Sequence, residues 1–291
     1  MERAAIDVEK VRDAVVAPAG AWADVEVVAE CDSTNTELAR RAERAAAEGA
    51  PLDAPRALAA EHQSAGLGRA GRTWTTPPGA ALTVSALLTP HVDGAALGWL
   101  PLLSGLAVVR ALRAAGVPAR LKWPNDVLLP TAEEIEGFGA WRKVGGVLAQ
   151  VLPHDGGVVV GIGLNVSQDA DELPVPTATS LALAGAPEPV LDRTALLTGI
   201  LTELADVVGR WSDDDGDPHA PRPDRGPSLA DEYAAHTATL GAQVRVELAG
   251  GAGYVEGTAA HLTADGALVV ARDDGSVRMV AAGDVHHLRR A

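Results

Sequence analysis

A glycine-rich stretch from residue 61 to residue 74 restricts the fold of this chain more than any other part of the sequence. Gly66, Gly68 and Gly71 match the G-x-G-x-x-G dinucleotide fingerprint, which requires a helix directly after the last glycine. The chain continues instead as Arg72-Thr-Trp-Thr-Thr-Pro-Pro-Gly79, and the prolines prevent a helix there. No Gly-Lys-Ser or Gly-Lys-Thr follows, so a Walker A loop is excluded as well. The stretch does not predict a doubly wound dinucleotide fold.

The same stretch has the residue types of an anion-binding loop. Arg69 and Arg72 provide fixed donors that suit carboxylates and phosphates, and glycine lets a backbone come close to a ligand. Two interpretations stay open from these residues alone. The stretch is an ordinary glycine-rich surface connection, or it is a flexible loop that closes over an anion and ends at Trp74.

Composition limits the class of protein. A length of 291 residues allows one large domain, or a large domain with a small one. Hydrophobic residues make up 47% of the chain and aromatic residues only 3%, so the core must be mostly Ala, Val and Leu. The net charge of −15 argues against non-specific nucleic-acid binding. The single cysteine, Cys31, excludes an internal disulfide framework. No apolar run approaches the length of a membrane span and no signal peptide opens the chain, so we expect a cytoplasmic protein.

Lysine is rare enough in this chain to be informative. The 24 basic residues include only three lysines, at positions 10, 122 and 143. Because arginine supplies most of the positive charge, a lysine marks a place where a compact ammonium group is wanted.

A proline interrupts the predicted strand around Lys122. The segment Leu121–Leu129 reads Leu-Lys-Trp-Pro-Asn-Asp-Val-Leu-Leu, and its proline holds Lys122, Asn125 and Asp126 at a kink. One interpretation is a plain Asn-Asp turn. The other is a functional group in which Lys122 binds phosphate and Asp126 orients a donor or a metal.

The N-terminal half alternates strands and helices. A strand-to-helix junction at Ser33, Thr34 and Asn35 either only caps the following helix or offers polar groups to a small ligand. Thr34 and Glu37 predict a capping box for that helix. The predicted elements are a helix over 6–17, a strand over Val25–Glu30, a helix over 35–48, strands over 56–63 and Ala80–Leu88, and a mostly apolar helix over 95–116.

Two strands are predicted to pair as a hairpin in the middle of the chain. They run over Lys143–Gln150 and Gly156–Val166, and Gly161 and Gly163 in the second leave room for something close to the sheet. Asn165 ends this strand and presents an amide. The polar, acidic segment 130–142 is predicted to be a long loop with no assigned role.

The C-terminal part of the sequence changes from helices to short strands. A connection over 167–190 with a short helix at about 179–184 precedes a helix over Leu191–Trp211 capped by Asp192. The acidic, proline-rich segment 212–227 is predicted to be mobile, and its Asp run is a solvated charge run rather than a metal site. A last helix spans 228–237. Five short strands with glycine turns then predict a small β-barrel from about residue 240.

The order of elements predicts an α+β fold with a mixed, largely antiparallel sheet, followed by the barrel. His62 is more simply a solvated histidine than a catalyst. His286 and His287 do not predict a metal site, because adjacent strand residues point to opposite faces.

Five motifs in this order resemble the biotin–protein ligase family over about residues 30–235, and the terminal strands resemble the SH3-like C-terminal domain of that family. The resemblance implies a catalytic domain over 1–238 with a fold like the class II aminoacyl-tRNA and biotin synthetases, and a small domain over 239–291. The motifs are Asp32-Ser-Thr-Asn-Thr36, Gln63–Trp74, Lys122-Trp-Pro-Asn-Asp126, Lys143-Val-Gly-Gly146 and Gly161-Ile-Gly-Leu-Asn165.

The resemblance implies a two-step reaction. Biotin and Mg-ATP give biotinyl-5′-AMP and pyrophosphate, and the biotinyl group then passes to one lysine of a biotin carboxyl carrier domain. The implied catalytic residues are Arg69, Lys143, Asp126 and Lys122. The implied biotin-binding residues are Ser33, Thr34, Asn35, Gln63, Leu67, Gly68, Arg69 and Lys143. The implied ATP-binding residues are Arg72, Trp74, Asn125, Gly163 and Asn165, and the metal ligands stay open.

The chain departs from the family pattern at Leu67, where the family usually has arginine. If position 67 contributes mainly its backbone N–H, activity is retained; if the side chain holds phosphate, the adenylate is retained less well. Three other functions are weighed. A lipoate ligase is disfavoured because Lys122-Trp-Pro-Asn-Asp126 belongs to the biotin branch, and a non-catalytic biotin sensor is favoured only by Leu67. A DNA-binding repressor is disfavoured by the acidic charge and the short N-terminal segment.

Overall fold

The computed structural model describes residues 3–135, 138–153, 157–221, 226–251 and 253–288. Its larger part is built on a seven-stranded sheet with the order β1-β2-β3-β7-β6-β5-β4. The first two strands are parallel and all other neighbours are antiparallel. The strands are β1 (Asp24–Cys31), β2 (Arg56–Gln63), β3 (Ala81–Leu88), β4 (Arg120–Lys122), β5 (Asp126–Ile135), β6 (Gly139–Val151) and β7 (Val158–Asn165).

The helices cover the two faces of this sheet unequally. Alternation along β3 sends Leu82, Val84 and Ala86 into the main core, while Leu87 joins a smaller cluster on the other face. The main core contains α1, α3, α4 and α5, and the smaller cluster contains α2. The helices are α1 (Val8–Val15), α2 (Thr34–Ala47), α3 (Leu100–Ala114), α4 (Arg193–Asp213) and α5 (Leu229–His236).

The α2 face of the sheet is also where its polar residues lie. Thr83 and Ser85 share the parity of Leu87 on β3, and Gly161 and Gly163 share the parity of Val159 on β7. These polar and small residues replace apolar ones next to the α2 cluster. A cavity is therefore expected on this face, beyond the end of the apolar packing.

The expectation that no apolar run approaches the length of a membrane span is wrong, because the apolar segment Gly94–Ala114 has the length and hydropathy of a candidate span. In this structure it is a core helix, because α3 packs against α4 and the sheet. The segment begins with a 3-10 turn (Gly94–Trp99). Ten of the fifteen residues of α3 are buried. The predicted helix over 95–116 is thus confirmed in place, with a tighter first turn.

Three local predictions are wrong. The residue that caps α2 is Ser33 and not Thr34, and no side chain bonds the first turn; the Thr34 side chain bonds Gln63 instead. The segment 130–142 is mostly strand, because β5 and β6 extend outward as a ribbon to Ile135 and from Gly139. The chain makes a turn over 181–185 in place of the predicted helix at 179–184.

The predicted Asp192 cap of α4 is confirmed, and the structure adds a cap of α5 that was not predicted. The Asp192 carboxylate accepts a hydrogen bond from the Thr194 N–H at the start of α4, and Ser228 caps α5 by accepting from Asp231 N–H. Residues 212 and 213 of the predicted mobile segment 212–227 belong to α4, residues 214–216 form a turn after it, and residues 222–225 lie outside the described residues.

The C-terminal residues form a five-stranded antiparallel sheet with the order β11-β10-β9-β8-β12. Two buried tryptophans fasten it to the larger part, since Trp99 Nε1 donates to Thr263 O at 2.9 Å and Trp123 Nε1 donates to Gly266 O at 3.0 Å. The strands are β8 (Gln243–Leu248), β9 (Tyr254–Leu262), β10 (Leu268–Ala271), β11 (Val277–Val280) and β12 (Gly283–His287).

Candidate active site

A cavity of about 520 Å³ lies on the α2 face of the large sheet. The start of α2, strands β6 and β7, and the loop Gly66–Trp74 enclose it, together with the segment 174–178. Fourteen of the fifteen residues predicted for the site line this cavity: Ser33, Thr34, Asn35, Gln63, Leu67, Gly68, Arg69, Arg72, Trp74, Asn125, Asp126, Lys143, Gly163 and Asn165.

One wall of the cavity is an uncharged hydrogen-bonded group, here called the neutral cluster: Thr34, Asn35, Gln63 and Ser85. All four residues are buried. The backbone N–H of Thr34 donates to Gln63 Oε1 at 2.7 Å, and Asn35 Nδ2 donates to Leu148 O at 3.0 Å. These bonds hold three side chains from α2 and β2 in fixed orientations, which is the preorganisation that a small polar ligand requires.

Ser85 links the members of the neutral cluster from behind. Its hydroxyl lies 2.5 Å from Asn35 Oδ1 and 2.7 Å from Thr34 Oγ1. An amide oxygen has no proton to donate, so the Ser85 hydroxyl donates to Asn35. The Asn35 amide therefore has a defined orientation, with its oxygen toward Ser85 and its nitrogen toward Leu148.

Side chains that lie against β7 explain why two of its positions are glycine. A Cβ at Gly161 would lie 2.1 Å from Asn35 Oδ1, and a Cβ at Gly163 would lie 2.7 Å from Trp74 Cε2. The predicted close approach to the sheet is therefore made by protein side chains. Any larger residue at either position would displace a member of the cavity wall.

The loop over the cavity is closed on itself by backbone hydrogen bonds. Gly68 N–H donates to Arg72 O at 2.7 Å, and Trp74 N–H donates to Gly66 O at 2.8 Å. Leu67 forms a backbone bridge with Thr73, while its side chain is 48% exposed. Position 67 thus contributes backbone structure to the loop in this chain.

A second wall carries the charges, and we call Arg69, Lys122, Asp126 and Lys143 the charged cluster. Lys143 Nζ lies 2.5 Å from Asp126 Oδ1 and 5.8 Å from the Trp74 ring centroid. Asp126 is the one carboxylate among the described residues that line the cavity. The cations therefore outnumber the acid, and the wall suits an anionic ligand.

Asn125 connects the loop to the sheet. Its Oδ1 accepts a hydrogen bond from Arg69 at 3.0 Å, and its Nδ2 donates to Val147 O at 2.9 Å. Burial lowers the pKa of the Arg69 guanidinium, although it stays charged at neutral pH. Arg72 also lines the cavity and pairs with Asp284 of β12 at 3.0 Å.

Lys122 is the predicted site residue that does not line the cavity. It is 5% exposed and lies behind the wall, with its ammonium group 4.0 Å from the centroid of the Phe138 ring. Burial lowers the pKa of Lys122, and the nearby Asp126 opposes this effect.

The side-chain amide of Asn165 uses part of its hydrogen-bonding capacity within the protein. Its Nδ2 donates to Thr179 O at 2.9 Å and its Oδ1 accepts from Gln168 at 3.0 Å. Each atom retains capacity for one more hydrogen bond. The indole N–H of Trp74 is buried and has no hydrogen-bond partner among the described residues.

The biotin/lipoate A/B protein ligase family matches residues 29–169, and the biotin protein ligase C-terminal domain matches residues 239–288. The biotin–[acetyl-CoA-carboxylase] ligase of Mycobacterium tuberculosis is 37% identical over 292 residues, which cover 99% of this chain and 97% of that protein. The chain belongs to the biotin protein ligase family.

Solved structures of biotin protein ligases agree with this assignment. The enzyme of Aquifex aeolicus in complex with biotin and ATP superimposes with a TM-score of 0.69 at 25% identity, covering 92% of this chain and 99% of that one. The bifunctional ligase/repressor BirA of Bacillus subtilis is 32% identical over 151 residues, which cover half of this chain and 43% of that protein. The predicted family, the α+β fold and the SH3-like C-terminal domain are confirmed.

Several residues of this biotin protein ligase site escaped the sequence interpretation. Ser85 and Thr83 lie in an apolar strand, where period-2 alternation with Leu82 and Val84 was the available signal. Phe138 and the segment 174–178 gave no signal. Phe138 was placed in a predicted loop, and the chain around 174–178 reads as a proline-rich connection.

The residues that were set aside as functional candidates stay outside the site. His62 lies 3.5 Å from Glu30 on the far side of β2's end, and it does not line the cavity. Within the described residues, no group of three or more His, Cys, Asp or Glu side chains is arranged to hold a metal ion.

Proposed function

We propose that this protein activates biotin with ATP to biotinyl-5′-AMP and transfers the biotinyl group to one lysine of a biotin carboxyl carrier domain, acting in the cytoplasm. The observation that carries the proposal is one cavity that is lined by three residues of the neutral cluster and three of the charged cluster, with Ser85 and Lys122 behind its walls. Biotin has an uncharged polar ring system and a carboxylate at the end of an alkyl chain. The neutral cluster matches the polar ring system, and the charged cluster matches the carboxylate.

The neutral cluster would bind the ureido ring of biotin, together with Ser33. A ureido group presents one acceptor oxygen and two N–H donors. The cluster presents hydroxyl donors, amide donors and amide acceptors in orientations that are held by Leu148 O and Ser85. Uncharged partners suit an uncharged ring, because no ionic group is left buried and unpaired.

The charged cluster would bind the biotin carboxylate and the nucleotide phosphates. Lys143 and Arg69 line the cavity and Lys122 lies behind its wall. Attack of the carboxylate oxygen on the α-phosphorus forms the mixed anhydride and expels pyrophosphate. Neutralising charge in both groups, in a cavity that a loop can shield from water, lowers the barrier to this attack.

Trp74 and Asn165 would hold the adenine ring, with Arg72 and Asn125 toward the phosphates. Trp74 lies directly over Gly163, so its indole forms a flat surface at the β7 wall. Asn165 has one N–H and one oxygen lone pair left for the adenine edge. Leu67 and Gly68 would contribute backbone to the loop that covers the ligand.

In the second step, the amine of the carrier lysine attacks the acyl carbon and AMP leaves. The amine must lose a proton to do so. Asp126 would accept it, because it is the one carboxylate among the described lining residues.

Mg²⁺ would enter as the ATP complex. Magnesium is bound in nucleotide sites by substrate phosphates with one or two carboxylates, and the described lining of this cavity offers Asp126 alone. The residues therefore fit a metal that is held mainly by the nucleotide. When bound, the metal neutralises phosphate charge.

Pyrophosphate exchange tests the proposal. The purified protein with biotin, ATP and labelled pyrophosphate is expected to form labelled ATP, and a carrier domain added afterwards is expected to gain one biotin. Exchange with octanoate or lipoate in place of biotin would contradict the proposed substrate.

Leu67 is the feature that favours a second candidate, a biotin sensor without catalysis. Isothermal titration calorimetry separates the two functions. Biotin binding without ATP-dependent formation of biotinyl-AMP would support the sensor. The backbone role of Leu67 in the loop favours the ligase.

A further inference from the structure

Lys122 has a buried ammonium group that no acceptor in the described part of the chain satisfies. The residue is the last of β4 and is 5% exposed. None of the described residues forms a hydrogen bond or an ion pair with its Nζ. Asp126, which is close enough to affect its pKa, is instead paired with Lys143 at 2.5 Å. A buried cation in this situation is costly unless other groups compensate.

The ring of Phe138 provides such compensation. Lys122 Nζ lies 4.0 Å from the centroid of this ring, within the range in which the negative face of an aromatic ring attracts a cation. Phe138 is the only phenylalanine of the chain. It also lines the ligand cavity, so the contact places the Lys122 ammonium group next to the cavity wall.

Phe138 lies at the end of the ribbon that β5 and β6 form. Pairing continues to Ile135 and Gly139, and the Phe138 N–H donates to Ile135 O at 3.0 Å. Gly139 has a φ of 60°, a left-handed conformation that glycine adopts without strain. Phe138 directly precedes this glycine and lines the cavity.

A second ring, that of His287 in the C-terminal domain, lies near Lys122. Its Nε2 is buried and has no hydrogen-bond partner among the described residues. Burial lowers the pKa of His287 to about 4, and Lys122 contributes to this shift. At neutral pH this imidazole is uncharged, so it does not compete with the positive charge of Lys122.

We propose that Phe138 is a positioning residue that holds the Lys122 ammonium group at the cavity wall, where it meets the phosphates of the nucleotide. The inference rests on the proposed function of the same site. Leucine at position 138 would fill a similar volume but would lack the quadrupole of an aromatic ring. Tyrosine would keep the volume and the quadrupole. The two substitutions therefore separate a contact to the cation from simple packing.

Steady-state pyrophosphate exchange provides the first test, with Phe138→Leu, Phe138→Tyr, Lys122→Met and the double variant Lys122→Met/Phe138→Leu. We expect F138L to lower kcat/KM for ATP about 3- to 10-fold, the range of a partly desolvated cation–π contact. F138Y is expected to recover most of that loss. In the K122M background, F138L is expected to have no further effect, because the two residues act through one contact.

Additive effects of K122M and F138L, or equal losses in F138L and F138Y, would overturn the inference and leave Phe138 as packing alone. Biotin affinity by calorimetry and the thermal unfolding midpoint serve as controls for the neutral cluster and for folding. The biotin affinity is expected to stay within about twofold of the wild type. The unfolding midpoint is expected to stay within about 2 °C, because Phe138 lies at the end of the β5–β6 ribbon.

An NMR measurement tests the contact without using activity. The chain has only three lysines, so labelling lysine with ¹³C at Cε gives a spectrum that K122M assigns directly. We expect the Lys122 methylene protons to be shifted upfield by the ring, to move in F138L and to stay shifted in F138Y. An unshifted Lys122 signal would overturn the inference even if exchange activity is present. A shifted signal without any exchange would contradict the proposed function and not the contact.

Discussion

The neutral and charged clusters share one cavity but are held in opposite ways. In the neutral cluster the side chains bond one another and the backbone, and Ser85 is fully buried behind them. In the charged cluster Lys143 is paired with Asp126, while Lys122 contacts the Phe138 ring and has no hydrogen-bond or ion-pair partner among the described residues. Arg69 reaches the sheet through a single amide, that of Asn125.

This difference reflects the ligands that each cluster meets. An uncharged ring is recognised by the fixed directions of hydrogen bonds, so the protein must supply the directions in advance. Phosphates and a carboxylate are attracted by charge at longer range, so cations that lack a full set of protein partners are the ones that gain most from binding. Five predictions follow this contrast, from the largest expected effect to the smallest.

The first prediction concerns Lys143. We expect Lys143→Ala to lower biotin-dependent pyrophosphate exchange by about 10³-fold, since it removes the cation at the reacting groups and leaves Asp126 unpaired. Biotin binding by calorimetry is expected to weaken far less, because the neutral cluster is intact. Near-normal exchange in this variant would remove Lys143 from the reaction.

The second prediction tests how rigid the neutral cluster is. Gly161→Ala places a methyl group 2.1 Å from Asn35 Oδ1, so we expect biotin affinity to fall about 10- to 100-fold as the amide is displaced. Gly209→Ala is the matched control, because no atom lies within 4 Å of its added Cβ in α4. That variant is expected to bind biotin normally and to be slightly more stable. Unchanged affinity in G161A would show that the cluster adapts.

The third prediction concerns retention of the intermediate. Arg69→Gly removes the guanidinium that joins the loop to Asn125, so we expect biotinyl-AMP to leave about tenfold faster or more. Bystander lysines in a protein mixture would then become biotinylated, which streptavidin blotting measures. Labelling confined to the carrier domain would argue against the loop as a cover.

The fourth prediction concerns pH. The pKa of His287 is lowered from 6.5 to about 4, chiefly by burial. As the pH falls through this window, the unfolded chain takes up a proton that the folded protein excludes, so stability falls with pH. Replacing His287 with asparagine is expected to reduce this dependence by about 1–2 kcal/mol between pH 6.5 and pH 4. Denaturant unfolding at several pH values measures it, with the exposed His261→Asn as the control.

The fifth prediction concerns the tie between the loop and the C-terminal domain. Arg72 and Asp284 form an ion pair at 3.0 Å, with side chains that are 59% and 46% exposed. A double-mutant cycle of Arg72→Ala and Asp284→Ala is expected to give a coupling energy below about 1 kcal/mol that disappears in high salt. A larger, salt-independent coupling would show that this contact orders the loop.

The positions of most site residues were predictable because they sit where regular elements end. Ser33, Gln63 and Asn165 follow or end strands that alternation reveals, and Pro124 marks the kink beside Asp126. Phe138 was not predictable, because the polar composition of 130–142 resembles a loop and the ribbon is stabilised only by pairing between β5 and β6. Thr34 was misassigned for a related reason. Its local sequence favours a cap, and the contact with Gln63 that replaces the cap comes from another strand.

The sequence by itself determined the α+β fold class, the order of the motifs, the family and the rarity of lysine, since each depends on residue type and spacing along the chain. Only the tertiary structure decided which partners these residues meet. The register of β7 against β3 and β6 places Gly161 under Asn35 and Gly163 under Trp74. The pairing of β5 with β6 places Phe138 over Lys122. Such contacts join residues that are far apart in the chain, and local propensity carries no information about them.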